Sequence, residues 1–154
     1  MRKFIKNLVP VRMGIGKGTF YDIQYLTETN GTLITSKSRF MGTGVVRAHD
    51  AEQCGGKGMR IFVDELAEED SCHMGRRLQL PQPLKSVKWE LDYLHDPRPI
   101  GQLEQLENDD RELFDKVASM NTPTLKDTAR LHYTETLDAL NRMRISNSRK
   151  AFPL

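Results

Sequence analysis

The dipeptide Asn30-Gly31 lies between two segments rich in β-branched and aromatic residues, and it constrains the fold more than any other pair in the chain. Both central positions of a type I′ turn need positive φ, which Asn and Gly adopt at the least steric cost. Folding about the dipeptide places Thr29 opposite Thr32. Counting outward along an unbroken ladder places Asp22 opposite Arg39 and Tyr21 opposite Phe40. Acid–base and aromatic cross-strand pairs stabilise a sheet. The expectation is therefore a regular antiparallel hairpin whose aromatic residues join a core.

The texture changes near Asp96-Pro97-Arg98-Pro99. Before it the pattern is that of strands. Val87, Trp89, Leu91 and Tyr93 alternate with Lys88, Glu90 and Asp92, which predicts a strand with Trp89 buried and with Lys88 and Glu90 in solvent. Val45-Val46 and Ile61-Phe62-Val63 are shorter strand candidates, separated by glycine turns, and Pro81 and Pro83 exclude an interior strand. After it the period is helical. Leu103, Leu106, Leu113, Val117 and Met120 mark one helix, interrupted at Asp110. Thr122-Pro123 reads as an N-cap and first helical position, followed by a second helix through Leu125, Ala129, Thr136 or Leu137, Leu140 and Met143.

The fold class expected is α+β: an antiparallel, hairpin-rich sheet or small barrel, then a C-terminal helical hairpin packed on it. Within a single domain, residues 1–18 form a basic arm, 19–96 the β part, 97–146 the helical hairpin and 147–154 a tail. Of the 154 residues only 38% are apolar, and mean hydropathy is −0.57. A core this thin fits either a loop-rich small domain or a subunit that draws stability from a partner.

Net charge is only +2, but it is unevenly spread. Arg2, Lys3, Lys6, Arg12 and Lys17 stand without an acid in the first 18 residues. Arg142, Arg144, Arg149 and Lys150 form a second basic group near the C-terminus. Asp64, Glu65, Glu68, Glu69 and Asp70 form an acidic block between them. The basic groups are candidate contacts to a partner or to nucleic-acid phosphates, and the acidic block is a candidate dock for a basic arm. Both ends, lacking core elements of their own, are expected to become ordered only against such a partner.

No apolar run approaches the roughly 18 residues of a membrane span, and no signal-peptide core is present. With two cysteines, Cys54 and Cys72, a reducing compartment is the default: the cytoplasm, or a host cytoplasm or virion for a viral protein.

The segment Gly14-Ile15-Gly16-Lys17-Gly18-Thr19 resembles the end of the phosphate loop of nucleotide kinases. Ile61-Phe62-Val63-Asp64-Glu65 resembles the strand that ends in a magnesium-holding acid. Such a loop would imply a nucleotide-dependent phosphotransferase. Val11 stands where its leading glycine belongs, however, and a strand rather than a helix follows Thr19, so a glycine turn carrying one lysine is preferred. His49, Cys54, Cys72 and His73 are of the types zinc prefers, in poor spacing; two unrelated thiols are preferred to a metal site. No catalytic residue, cofactor or metal is therefore expected. The preferred reading is a non-enzymatic interaction or assembly subunit, similar in texture to virus and phage assembly proteins, with a protein partner or its own copies. Next comes a nucleic-acid-binding β module in which Tyr21, Tyr25 and Phe40 stack on bases if their face is exposed, although burial in a core is preferred for them.

Overall fold

The computed structural model describes residues 11–68, 75–85, 87–95 and 103–153. In chain order the elements are β1 (Met13–Ile15), β2 (Tyr21–Thr29), β3 (Thr32–Met41), α1 (Thr43–Glu52), β4 (Ile61–Val63), a 3-10 turn (Glu65–Ala67), β5 (Arg76–Leu84), β6 (Val87–Asp92), α2 (Leu103–Met120) and α3 (Asp127–Ser146). The class is α+β, with the strands in two sheets and no closed barrel. One sheet has the order β1-β4-β6-β5; the other is the β2–β3 hairpin alone.

The four-stranded sheet is antiparallel except at β1 and β4, which run parallel, Met13 against Ile61 and Ile15 against Val63. A parallel neighbour needs a crossover, and α1 lies in the connection that provides it. This places Val45-Val46 in a helix, where a strand was expected. The glycines before it explain the packing. A Cβ on Gly14 would lie 1.8 Å from the Ala48 carbonyl oxygen, and one on Gly16 would lie 2.4 Å from the Ala48 nitrogen. The glycine run is thus where α1 presses directly onto the β1 backbone. Within residues 11–18, expected as part of a free arm, Met13–Ile15 form the edge strand β1 of the sheet. Arg12 is held there by Glu52, with Nε 2.6 Å from Oε1, and by the Gly56 carbonyl at 2.9 Å. Arg2, Lys3 and Lys6 lie outside the described residues.

Two further departures have a common cause. Glu90 was expected in solvent and is fully buried, while Trp89 is only half-buried beside the Arg77 guanidinium, 5.5 Å from its ring centroid. A strand covered on both faces does not alternate between wet and dry, so period-2 charge is accommodated by pairing. Glu90 Oε2 receives Arg60 Nε at 2.6 Å, and Oε1 receives Arg142 Nη2 at 2.9 Å. β5 does contain Pro81 and Pro83, as an edge strand whose pairing with β6 is irregular between Gln79 and Leu84, consistent with proline's missing donor.

The helical hairpin forms as expected and buries Leu113, Phe114, Val117, Leu137, Leu140 and Met143 together with Met59 and Leu94. Its second helix starts at Asp127, so Thr122-Pro123 belongs to the connecting turn and not to a cap. The tail also differs from expectation. Phe152 is buried edge-on to Phe114, with centroids 5.1 Å apart, and its backbone exchanges two hydrogen bonds with the Asn141 side chain at 2.9 and 3.0 Å. The tail is therefore anchored at Phe152 on this chain's own core.

Candidate interaction surface: the β2–β3 hairpin

Asn30 and Gly31 have φ of 53° and 76°, and Thr29 faces Thr32, as the turn chemistry requires. The ladder continues to Leu26 opposite Thr35. There Ser36 is left out of the pairing, and Tyr25 meets Lys37. Beyond this bulge Asp22 faces Phe40, Ile23 faces Arg39 and Tyr21 faces Met41. The expected pairs of Asp22 with Arg39 and Tyr21 with Phe40 are accordingly overturned: one extra residue in β3 displaces every partner beyond it.

Side chains directly opposite one another share a face, so this register assigns the two faces of the hairpin. One carries Tyr21, Ile23, Tyr25, Ile34 and Met41 with the cations Lys37 and Arg39. The other carries Leu26, Leu33 and Phe40 with the anions Asp22 and Glu28. Contacts agree with the assignment. The Arg39 guanidinium lies 5.8 Å from the Tyr25 ring centroid, and Gln24 Nε2 donates to Asp22 Oδ2 at 3.2 Å. Each face combines apolar side chains with one sign of charge.

Among the described residues no element covers either face. Every residue of β2 is exposed. Tyr21 and Phe40 each keep 59% of their surface in water, Tyr25 45% and Leu33 64%. Phe20 stacks on Phe40 at 5.4 Å, and both remain exposed. The aromatics expected in a core are therefore outside it. The exposed patch continues past Met41 to Val46 on α1. A two-stranded sheet gains no core of its own and is marginal alone in water.

The hairpin's base, in contrast, is tightly held. Thr19 N donates to Thr43 Oγ1 at 3.0 Å, Thr43 N donates to Thr19 Oγ1 at 3.1 Å, and Gly44 N donates to the Thr19 carbonyl at 3.0 Å. This clasp at the start of α1 needs glycine at Gly42, where φ is 131° and a Cβ would sit 2.3 Å from the Thr19 oxygen. These hydrogen bonds join the hairpin's base to the start of α1.

The other candidate residues are placed as follows. Arg144 is buried, with Nη1 2.8 Å from Asp110 Oδ2 and Nη2 2.6 Å from Glu107 Oε1. Arg149 binds Asp110 and the Leu94 carbonyl. Together with Arg142 on Glu90, three of the four C-terminal cations are engaged inside the molecule, and Lys150 stays exposed. In the acidic block Asp64 caps the 3-10 turn by accepting from Leu66 N at 3.1 Å, Glu65 meets Lys88 and Glu68 meets Arg77. Glu69 and Asp70 lie outside the described residues, as do Cys72 and His73. Cys54 is buried against Phe62 and Leu80, and His49 is exposed on α1. Among the described residues no three His, Cys, Asp or Glu side chains come together as a metal site, and no helix is long and apolar enough to cross a membrane.

Lys17 lies in an open cleft with Thr43, Arg47, Glu65 and Glu68. Here the chain after Thr19 enters β2, so no helix follows the glycines directly. A separate cavity of about 260 Å³ is lined by Arg12, Met59, His132, Tyr133 and Thr136. His132 Nδ1 accepts from Gly58 N at 3.2 Å, the role of a neutral imidazole. Burial, then the nearby charges of Lys57 and Arg12, hold its pKa below the ordinary value.

Comparison with models of protein families, with curated proteins and with solved structures finds no significant match for this chain. Sequence reasoning named Tyr21, Tyr25 and Phe40 as a surface only if exposed and preferred their burial, although a signal for exposure was present. Tyr21, Ile23 and Tyr25 point to one side and Leu26 and Phe40 to the other, so the hairpin is apolar on both faces. A sheet of that pattern needs two covering layers, and the described residues include no second set of elements to supply them.

Proposed function

We propose that this chain is a non-enzymatic interaction or assembly protein and that the β2–β3 hairpin is its docking element. The observation that carries the reading is the exposure of large apolar side chains on both faces of a rooted hairpin. Contiguous apolar surface of this kind marks sites where another macromolecule binds. Aromatic residues and arginine, the types that dominate binding energy at interfaces, are present in Tyr21, Tyr25, Phe40 and Arg39. A reducing compartment, and a subunit of viral or phage type with a basic N-terminal segment, belong to the same proposal. The partner contacts assigned from sequence to Arg142, Arg144 and Arg149 do not, since those cations neutralise buried acids.

A second reading rests on one face alone. Tyr21 and Tyr25 beside Lys37 and Arg39 combine stacking surfaces with phosphate-binding charge, the requirements of a single-strand platform.

One experiment separates the two. A photo-crosslinking amino acid replaces Tyr25 in the full chain, expressed in the cells that naturally produce it. The expected product is a discrete protein–protein adduct. A nuclease-sensitive adduct whose yield falls steeply with salt selects the nucleic-acid reading instead. Recovery of the chain without any adduct overturns both.

A further inference from the structure

The docking reading leaves open what covers the hairpin, and its charges answer the question. We infer that the partner is a second copy of this chain, bound head to tail, so that the basic face of one hairpin lies on the acidic face of the next. This inference rests on the docking role proposed above and names its occupant.

Three observations lead to it. The first is that both faces are apolar and exposed, so one partner on one face leaves the other face in water. The second is charge segregation: Lys37 and Arg39 lie on the face of Tyr21, Ile23, Tyr25, Ile34 and Met41, whereas Asp22 and Glu28 lie on the face of Leu26, Leu33 and Phe40. All four charged residues are exposed. The third is the hydrogen-bonded root at Thr19 and Thr43, which ties the hairpin's base to the start of α1.

Symmetry then selects the contact. A two-fold dimer joins like face to like face, bringing Lys37 and Arg39 toward their own copies, or Asp22 and Glu28 toward theirs. Juxtaposed like charges cost several kcal/mol at an interface. A head-to-tail contact pairs opposite charges and covers one face of each hairpin. Repeated, it covers both faces of every hairpin with a single kind of interface. Such a contact is heterologous and generates a ring where the rotation closes, or a filament where it does not. The apolar side chains supply area and the charges supply register and polarity.

The test is a charge-reversal exchange on the full chain. The wild type is expected to form oligomers larger than a dimer in sedimentation velocity as concentration rises. K37E/R39E makes both faces acidic, and D22K/E28K makes both basic. Each variant alone is expected to be monomeric, with secondary structure and unfolding temperature near those of the wild type, because all four positions are exposed. An equal mixture of the two is expected to recover oligomers with strictly alternating copies, since every contact again joins opposite signs. As a check that needs no charge change, a photo-crosslinker at Ile34 in a mixture of light and isotope-heavy wild-type copies should give light–heavy adducts on peptides containing Leu33 or Phe40.

The inference is overturned by a wild type that stays monomeric at every concentration, by either variant assembling alone as the wild type does, by a mixture that fails to recover, or by the absence of light–heavy adducts. A monomeric wild type that still forms a discrete adduct with another protein in cells overturns the self-assembly inference and leaves the docking reading standing. Absence of both kinds of adduct removes the two together.

Discussion

The helical end of the molecule and its β2–β3 hairpin treat charge and apolar surface in opposite ways. Around α2, α3 and β6, carboxylates are inside: Glu90 and Asp110 are buried, each held by two arginines. In the hairpin, tyrosine, phenylalanine, leucine and isoleucine are outside. Residue type alone would have reversed both outcomes. Burial follows from how many layers cover an element, and only afterwards do the buried groups need partners. β6 lies within a four-stranded sheet beneath helices and forces its Glu90 into a pocket of guanidinium groups. The hairpin has no layer on either side among the described residues, and its aromatics are exposed.

The largest expected effect breaks the buried side of this contrast. Glu90→Ala strands Arg60, whose side chain is 4% exposed, beside Arg142. Removing one partner of a buried pair costs about 3–5 kcal/mol, and Arg60 then keeps the longer contact to Glu135 at 3.7 Å and the face of the Phe62 ring at 4.8 Å. Chemical denaturation should show a loss in that range. A loss near that of an exposed substitution would mean that water reaches the pocket.

A smaller effect concerns His132 at the edge of the helical region. Its folded pKa is depressed, by burial first and by Lys57 and Arg12 second, so the unfolded chain binds protons more readily. Stability from this group is complete above the unfolded value near 6.5 and declines as the pH falls below it toward the folded pKa. His132→Gln should remove that portion of the acid destabilisation. The check is the difference between the two pH profiles of unfolding free energy; identical profiles would show that His132 titrates as an ordinary surface imidazole.

The smallest effect on folding sharpens the other side of the contrast. Tyr25→Ser and Ile34→Ser remove large side chains that keep about half of their surface exposed and lie outside the core clusters. Each should change monomer stability by no more than about 0.5 kcal/mol, the range of exposed substitutions. Oligomerisation or partner binding should nevertheless be lost. A large drop in the unfolding temperature of the monomer would place these residues in a core and contradict their exposure.

Local chemistry accounts for what was legible in the chain. The Asn30-Gly31 turn, the two amphipathic helices, the strand at Val87 and the proline-bearing edge follow from φ preferences, periodicity and missing donors, all properties of short segments. So does the α+β class. The bulge at Ser36 is set by the whole ladder and leaves no local mark, which is why Asp22 meets Phe40 instead of Arg39. Val45-Val46 is helical because a parallel strand pair needs a crossover and Gly14 and Gly16 let α1 approach. The acids Glu90 and Asp110 are buried because distant cations, Arg60, Arg142, Arg144 and Arg149, converge on them. The tail is ordered because Phe152 finds Phe114 and Asn141. Each of these depends on residues far apart in sequence, whose meeting only the tertiary structure decides. The exposed hairpin belongs with them: its two apolar faces are written in the sequence, and the absence of any covering layer among the described residues is a property of the fold.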